Sequence, residues 1–143
     1  MDNCCYNRPY DDQSQLRISL ETQAKLRIQK LIQEKQLTLA ASYVLVYENS
    51  RNPHTARKQA IERFLRENVS SYIDADRAEE VREKAGVILA TGVKTADAFH
   101  VACAILSGSD IFITTDDRLL RYQTGEIKIV SPPEFIRLME EEE

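Results

Sequence analysis

The feature that most restricts the fold of this chain is an alternation. Short apolar, β-forming runs are separated by longer stretches of helical period. The clearest run covers residues 110–115, where Ile111, Phe112, Ile113, Thr114 and Thr115 lie between Ser107-Gly108 on one side and Asp116-Asp117 on the other. β-Branched and aromatic residues bounded by turn formers predict a strand. Residues 127–130 form the last such run, residues 37–41 an earlier one, and residues 69–73 a weaker one.

The intervening stretches read as helices. Over residues 14–35, Leu16, Leu20, Leu26, Ile28, Leu31 and Ile32 recur at roughly helical spacing among Lys, Arg, Glu and Gln. Ser42 is placed to cap a helix carrying Tyr43 to Glu48, which must end near Asn52 because the residue before Pro53 avoids helical geometry. Further helices are expected over 53–67, 76–90 and 95–106, and Pro132-Pro133 suits the first turn of a C-terminal one.

Strands alternating with helices imply an α/β fold, a mostly parallel sheet with helices on both faces. At 143 residues, with no internal repeat or linker, the chain is expected to be one domain, residues 1–143, ending in an acidic tail at residues 140–143 that is read as a frayed, solvated helix end. No stretch has the apolar length of a membrane span, and the first residues lack the basic and apolar regions of a signal peptide. The expectation is a cytoplasmic protein. Cys4, Cys5 and Cys103, odd in number and without metal-ligand spacing, are read as small buried hydrophobes. The net charge of −4 comes wholly from the tail, since 19 acidic residues then face 19 basic ones. Such a surface permits a nucleic-acid groove without demonstrating one.

In parallel α/β folds the ligand crevice lies beyond the C-terminal ends of the strands. Four acids fall at or near such places: Asp2, Glu48, Asp97 and Asp116. Each has a plain structural role open to it. Asp116 suits the cap of the following turn, and Asp97 the first turn of a helix, where the dipole favours an acid. Glu48 could be a solvated helix residue, and Asp2 carries no signal alone. Asp97, however, opens a helix that is apolar nearly all round, and a carboxylate in such surroundings needs a partner. His100 lies three residues on, on the same face, where a packing or supporting role is favoured over ligation. Thr114 is read first as a strand former and second as a hydrogen-bond partner for one of the acids, and Asp117 as a plain cap or solvated neighbour. Clustered carboxylates repel one another without a cation and suit Mg²⁺ or Mn²⁺ with one. Arg8, Arg51, Lys94 and Arg118 lie where phosphate contact is open to them, although a solvated surface charge is the commoner role.

Taken in order, these segments resemble the PIN domains, and among them the VapC-like ribonucleases. Asp2-Asn3 resembles the first acidic motif, Tyr43 to Glu48 and Asn49 the second, Lys94 to Ala102 around Asp97 the third, and Ile113-Thr114-Thr115-Asp116 the fourth. The resemblance implies a three-layer α/β/α sandwich with a short, mostly parallel central sheet. It implies a Mg²⁺- or Mn²⁺-dependent endoribonuclease using Asp2, Glu48, Asp97 and Asp116 as metal ligands and catalytic groups. RNA is then the substrate, a small antitoxin protein is a partner, and the chain forms a homodimer. A non-catalytic PIN-like domain that binds RNA or protein is the alternative. One departure stands out: the family has a full apolar strand before its first Asp, and here only Met1 precedes Asp2. The first strand is therefore read as truncated. Asn3 to Tyr6 supplies the remainder, the true start lies upstream, or the strand is missing.

Overall fold

The structure, a computed structural model, describes residues 1–142, with the side chains of Asn3, Cys4 and Glu142 left aside. The readings of Cys4 as buried and of Glu143 as part of the tail lie outside the described residues. Among the described residues, eight α-helices and four strands follow one another as α1 (Asn3–Asn7), α2 (Leu16–Gln33), β1 (Ala40–Ser42), α3 (Tyr43–Ser50), α4 (Thr55–Asn68), β2 (Ser71–Ile73), α5 (Ala78–Leu89), α6 (Thr95–Leu106), β3 (Ile111–Ile113), α7 (Asp117–Leu120), β4 (Lys128–Val130) and α8 (Pro132–Glu142), with 3-10 turns at Arg8–Tyr10 and Ala75–Arg77.

Local chemistry sets most boundaries. Ser42 caps α3, its hydroxyl accepting the Leu45 N–H at 3.2 Å. The helix expected from Pro53 begins two residues later, because the Asn52 side chain accepts the His54 N–H at 3.0 Å and holds a turn there. Gly108, at φ 76°, ends α6: its N–H and that of Ser109 donate to Ile105 and Ala104, the left-handed closure that glycine adopts without strain.

Both strand pairs are parallel. β1 lies on β2 with Ala40 opposite Ser71, and β3 lies on β4 with Ile111 opposite Lys128. Successive residues of β3 face opposite ways, as a pleat requires. Phe112 enters a core with Val81, Ala85 and Ile88 of α5 and Val101 and Ala102 of α6. Ile113 enters the other core, with Ile28 and Ile32 of α2, Phe64 and Leu65 of α4, and Phe135 of α8. The result is an α/β fold with helices on both faces of short parallel strands.

Two features depart from the sequence expectation. Among the described residues the strands form two two-stranded sheets rather than one. And Asn3 to Tyr6 does not supply the rest of a first strand: it is helical in α1, because the Asp2 carboxylate caps that turn by accepting the Cys5 N–H at 3.0 Å. Only Asp2 keeps strand character, with extended φ −86° and ψ 174° and its N–H donating to the Ile113 carbonyl.

Candidate active site

Thr114, just past β3, ties Asp2 and the Asp116 backbone to one strand end, and Asp97 lies within electrostatic reach of both acids. Asp116 follows β3 and caps α7, one carboxylate oxygen accepting the N–H groups of Arg118 at 2.8 Å and Leu119 at 3.3 Å. Asp2 lies beside the same strand end. It is 3% exposed and accepts a 2.5 Å hydrogen bond from the Thr114 hydroxyl, besides the Cys5 N–H. Thr114 therefore does hold a carboxylate, and in turn accepts the Asp116 N–H at 3.1 Å, so it ties two of the acids to one strand end. Asp97 sits half-buried in the first turn of α6, without a side-chain hydrogen bond or ion pair among the described residues.

The electrostatics record this closeness. Burial first, then the charges of Asp116 and Asp2, push the Asp97 carboxyl above the ordinary aspartate value, while His100 and Lys94 oppose the shift. Burial likewise raises Asp2, against the hydrogen bonds from Thr114 and Cys5. Like charges brought together with no cation among them disfavour ionisation in this way.

Glu48 reaches the group from α3 through histidine. His100 is 5% exposed on α6, and its Nε2 stands 2.9 Å from a Glu48 carboxylate oxygen. The histidine thus fixes Glu48 while its own charged form would act favourably on Asp2 and Asp97. This is the supporting role that its place in the helix suggested.

The donor set suits a divalent cation in its chemistry. All four side chains offer oxygen, which Mg²⁺ and Mn²⁺ prefer, and Asp97 makes no ion pair among the described residues although His100 and Lys94 act favourably on it. Among the described residues no three His, Cys, Asp or Glu side chains stand grouped at ligating distance of one another. The fit is therefore one of donor chemistry and charge, with Asp2 and Asp116 partly engaged in capping and each keeping lone pairs for a further bond.

The basic residues divide. Arg8 is internally paired, with Asp11 at 3.0 Å and the buried Glu21 at 3.2 Å. Arg51 lies 6.0 Å over the Tyr47 ring. Lys94 and Arg118 are exposed beside Asp97 and Asp116 in the chain. Arg17 has no counterpart among the sequence candidates. Its guanidinium joins Asp117 at 2.5 and 2.9 Å and reaches toward the Thr115 carbonyl, so α2 holds the loop that carries Asp116. Asp117 is thus an ion-pair partner rather than a plain solvated neighbour. The signal that could have pointed to Arg17 is its i,i+4 spacing from Glu21, which it also approaches at 3.6 Å.

Comparison with known protein families gives a match to the PIN domain over residues 13–124. Neither the curated proteins nor the solved structures gave a match.

Proposed function

The chain belongs to the PIN domain family, a family of generally metal-dependent nucleases, and from that premise we propose that it is an endoribonuclease that uses Mg²⁺ or Mn²⁺. The observation that carries this reading is geometric: Thr114 holds the Asp2 carboxylate and the Asp116 N–H at one strand end, with Asp97 within electrostatic reach of both acids. In this reading Asp2, Asp97 and Asp116 hold the ion, with Glu48 positioned by His100 as the fourth acid. The bound ion supplies charge neutralisation and water activation at the scissile phosphate. The chain's own residues do the positioning. Thr114 fixes Asp2 and the Asp116 backbone, His100 orients Glu48, and Arg17 steadies the loop between β3 and α7. Lys94 and Arg118 flank the site and are suited to phosphate oxygens.

The finer reading, a toxin neutralised by a small antitoxin protein and acting as a homodimer, is supported by the motif resemblance alone. The rival reading, a PIN domain that binds RNA or protein without cutting, draws support from the capping bonds that engage Asp2 and Asp116. Cleavage of end-labelled single-stranded and hairpin RNAs with Mn²⁺ separates the two. The expected result is cutting that stops with chelator and falls by about 100-fold or more in Asp116→Asn, the scale of losing one charge-stabilising group. Binding of RNA with no cutting, or equal cutting by both proteins, would overturn the enzyme reading.

A further inference from the structure

Glu21, in the second turn of α2, is a buried carboxylate with no place among the four acids of the site; it is 3% exposed. Burying such a charge is costly unless cations meet it. Two do. Arg8 Nε stands 3.2 Å from one carboxylate oxygen and Arg17 Nε 3.6 Å from the other. Each arginine also holds a second acid, Arg8 with Asp11 at 3.0 Å and Arg17 with Asp117 at 2.5 Å. The result is a row of alternating charge, Asp11–Arg8–Glu21–Arg17–Asp117, with its most buried member in the middle. The Arg8–Glu21 contact is one of charge alone, since both atoms are buried and neither has a hydrogen bond among the described residues.

The two arms of this row lead to two acids of the site. Arg8 closes α1, its N–H donating to the Cys5 carbonyl, while Asp2 caps the other end of the same helix. From Asp2 to Arg8 is about 9 Å at the rise of an α-helix, too short a rod to bend, so the two ends move together. The Arg8 carbonyl is fixed to α2 as well, accepting the Thr22 hydroxyl at 3.2 Å. On the other arm, Arg17 donates to Asp117 and reaches the Thr115 carbonyl at 3.5 Å, the residues on either side of Asp116. Glu21 and Arg17 are four residues apart, on one face of α2.

We propose that Glu21 is a positioning residue of the acidic site: the buried carboxylate through which α2 holds, by way of Arg8 and Arg17, both the helix that Asp2 caps and the loop that carries Asp116, and so sets the spacing of those two acids. Thr114 joins the same acids from the end of β3 by hydrogen bonds. Glu21 joins them from α2 by charge. A carboxylate suits the place because it attracts two guanidiniums at once, which a neutral amide does not. Its burial keeps salt and water from screening the attraction, as they do at an exposed pair. The proposal rests on the nuclease reading for what the acids hold, not for which residues place them.

The test is amide exchange in chelator at the N–H groups that the two carboxylates accept: Cys5 for Asp2, and Arg118 and Leu119 for Asp116, with Leu45 at the cap of α3 as the reference. Glu21→Gln keeps the shape and removes the charge. It is expected to speed exchange by about tenfold or more at Cys5, Arg118 and Leu119 and to leave Leu45 unchanged. Arg8→Gln is expected to act at Cys5 alone, and Arg17→Gln at Arg118 and Leu119 alone. No rise at one of the two ends in Glu21→Gln would overturn the proposal. So would an equal rise at Leu45, because Glu21 would then serve the fold as a whole. Where Glu21→Gln does not fold, Glu21→Asp, with its shorter reach, is held to the same pattern. Calorimetry with Mn²⁺ adds the ion: Glu21→Gln is expected to bind it about tenfold more weakly than the parent, and equal affinity would overturn the proposal. No binding by the parent would sink the ion reading alone, and the exchange pattern would still decide the role of Glu21.

Discussion

At the scale of single residues, several side chains serve the fold and the site at once. Asp2 and Asp116 each cap a short helix and each act electrostatically on Asp97. Their capping role is what their residue type alone suggests. Their proximity depends on Thr114, whose hydroxyl donates to one and accepts from the backbone of the other. Lys25 shows the opposite case, a charge the site does not use. It is 5% exposed on α2, its amine 5.6 Å over the Tyr6 ring, and burial lowers its pKa to about 8. In the folded chain this lysine releases its proton before it would in the unfolded chain. Stability should therefore rise as pH increases from about 8 toward the ordinary lysine value near ~10.4. Lys25→Met is expected to be more stable than the parent at pH 7, by on the order of 2 kcal/mol, and to lack that alkaline rise. Urea melts across this range measure both. A less stable variant at pH 7 would mean that the contact with Tyr6 outweighs the desolvation.

At the scale of elements, the sequence was most legible where capping and burial agree. α6 runs over Thr95–Leu106 as its apolar period predicts, and Gly108 closes it. α3 starts where Ser42 was expected to cap it. The expected strands were longer than those formed: residues 110–115 shortened to Ile111–Ile113, and residues 37–41 moved to Ala40–Ser42. Strand length depends on a partner's hydrogen bonds, and β1 and β3 each have a partner on one side only. The capping claim has a direct check. Ser42→Ala is expected to lower stability by about 1 kcal/mol, seen as a lower urea midpoint at unchanged slope. The proposed ion site predicts a rise in melting temperature with Mn²⁺, and Ser42→Ala should keep that rise, since the carboxylates remain. Loss of that rise would show that the α3 start also governs the placing of Glu48.

At the scale of the whole molecule, the acids set a charge problem that pH exposes. Without a cation, Asp97 and Asp2 bind protons more tightly folded than unfolded, where their value is 3.8. Their contribution is therefore fully favourable below about pH 4 and is lost as pH rises through their folded values. In chelator, Asp97→Asn should match the parent near pH 4 and exceed it at pH 7, because a disfavoured charge is gone. With millimolar Mn²⁺ the order should reverse at pH 7, since a ligand that binds only the native state stabilises it by mass action. Thermal melts in the four conditions are sufficient. A variant less stable than the parent in chelator at pH 7 would assign Asp97 to the fold rather than to an ion.

The sequence by itself determined the alternation of strands and helices, the parallel α/β class and the order of the four acids. These follow from local period, capping chemistry and turn residues, all readable within a few positions of the chain. Only the tertiary structure decided which acids meet. Thr114 reaches Asp2 across 112 positions, His100 reaches Glu48 across 52, and Arg17 reaches Asp117 across 100. It also decided that Asn3 to Tyr6 winds into a helix and that β1 and β3 fall in separate two-stranded sheets. Contacts between distant segments and the hydrogen bonds of a sheet edge are set by packing, and no local pattern of residues encodes them.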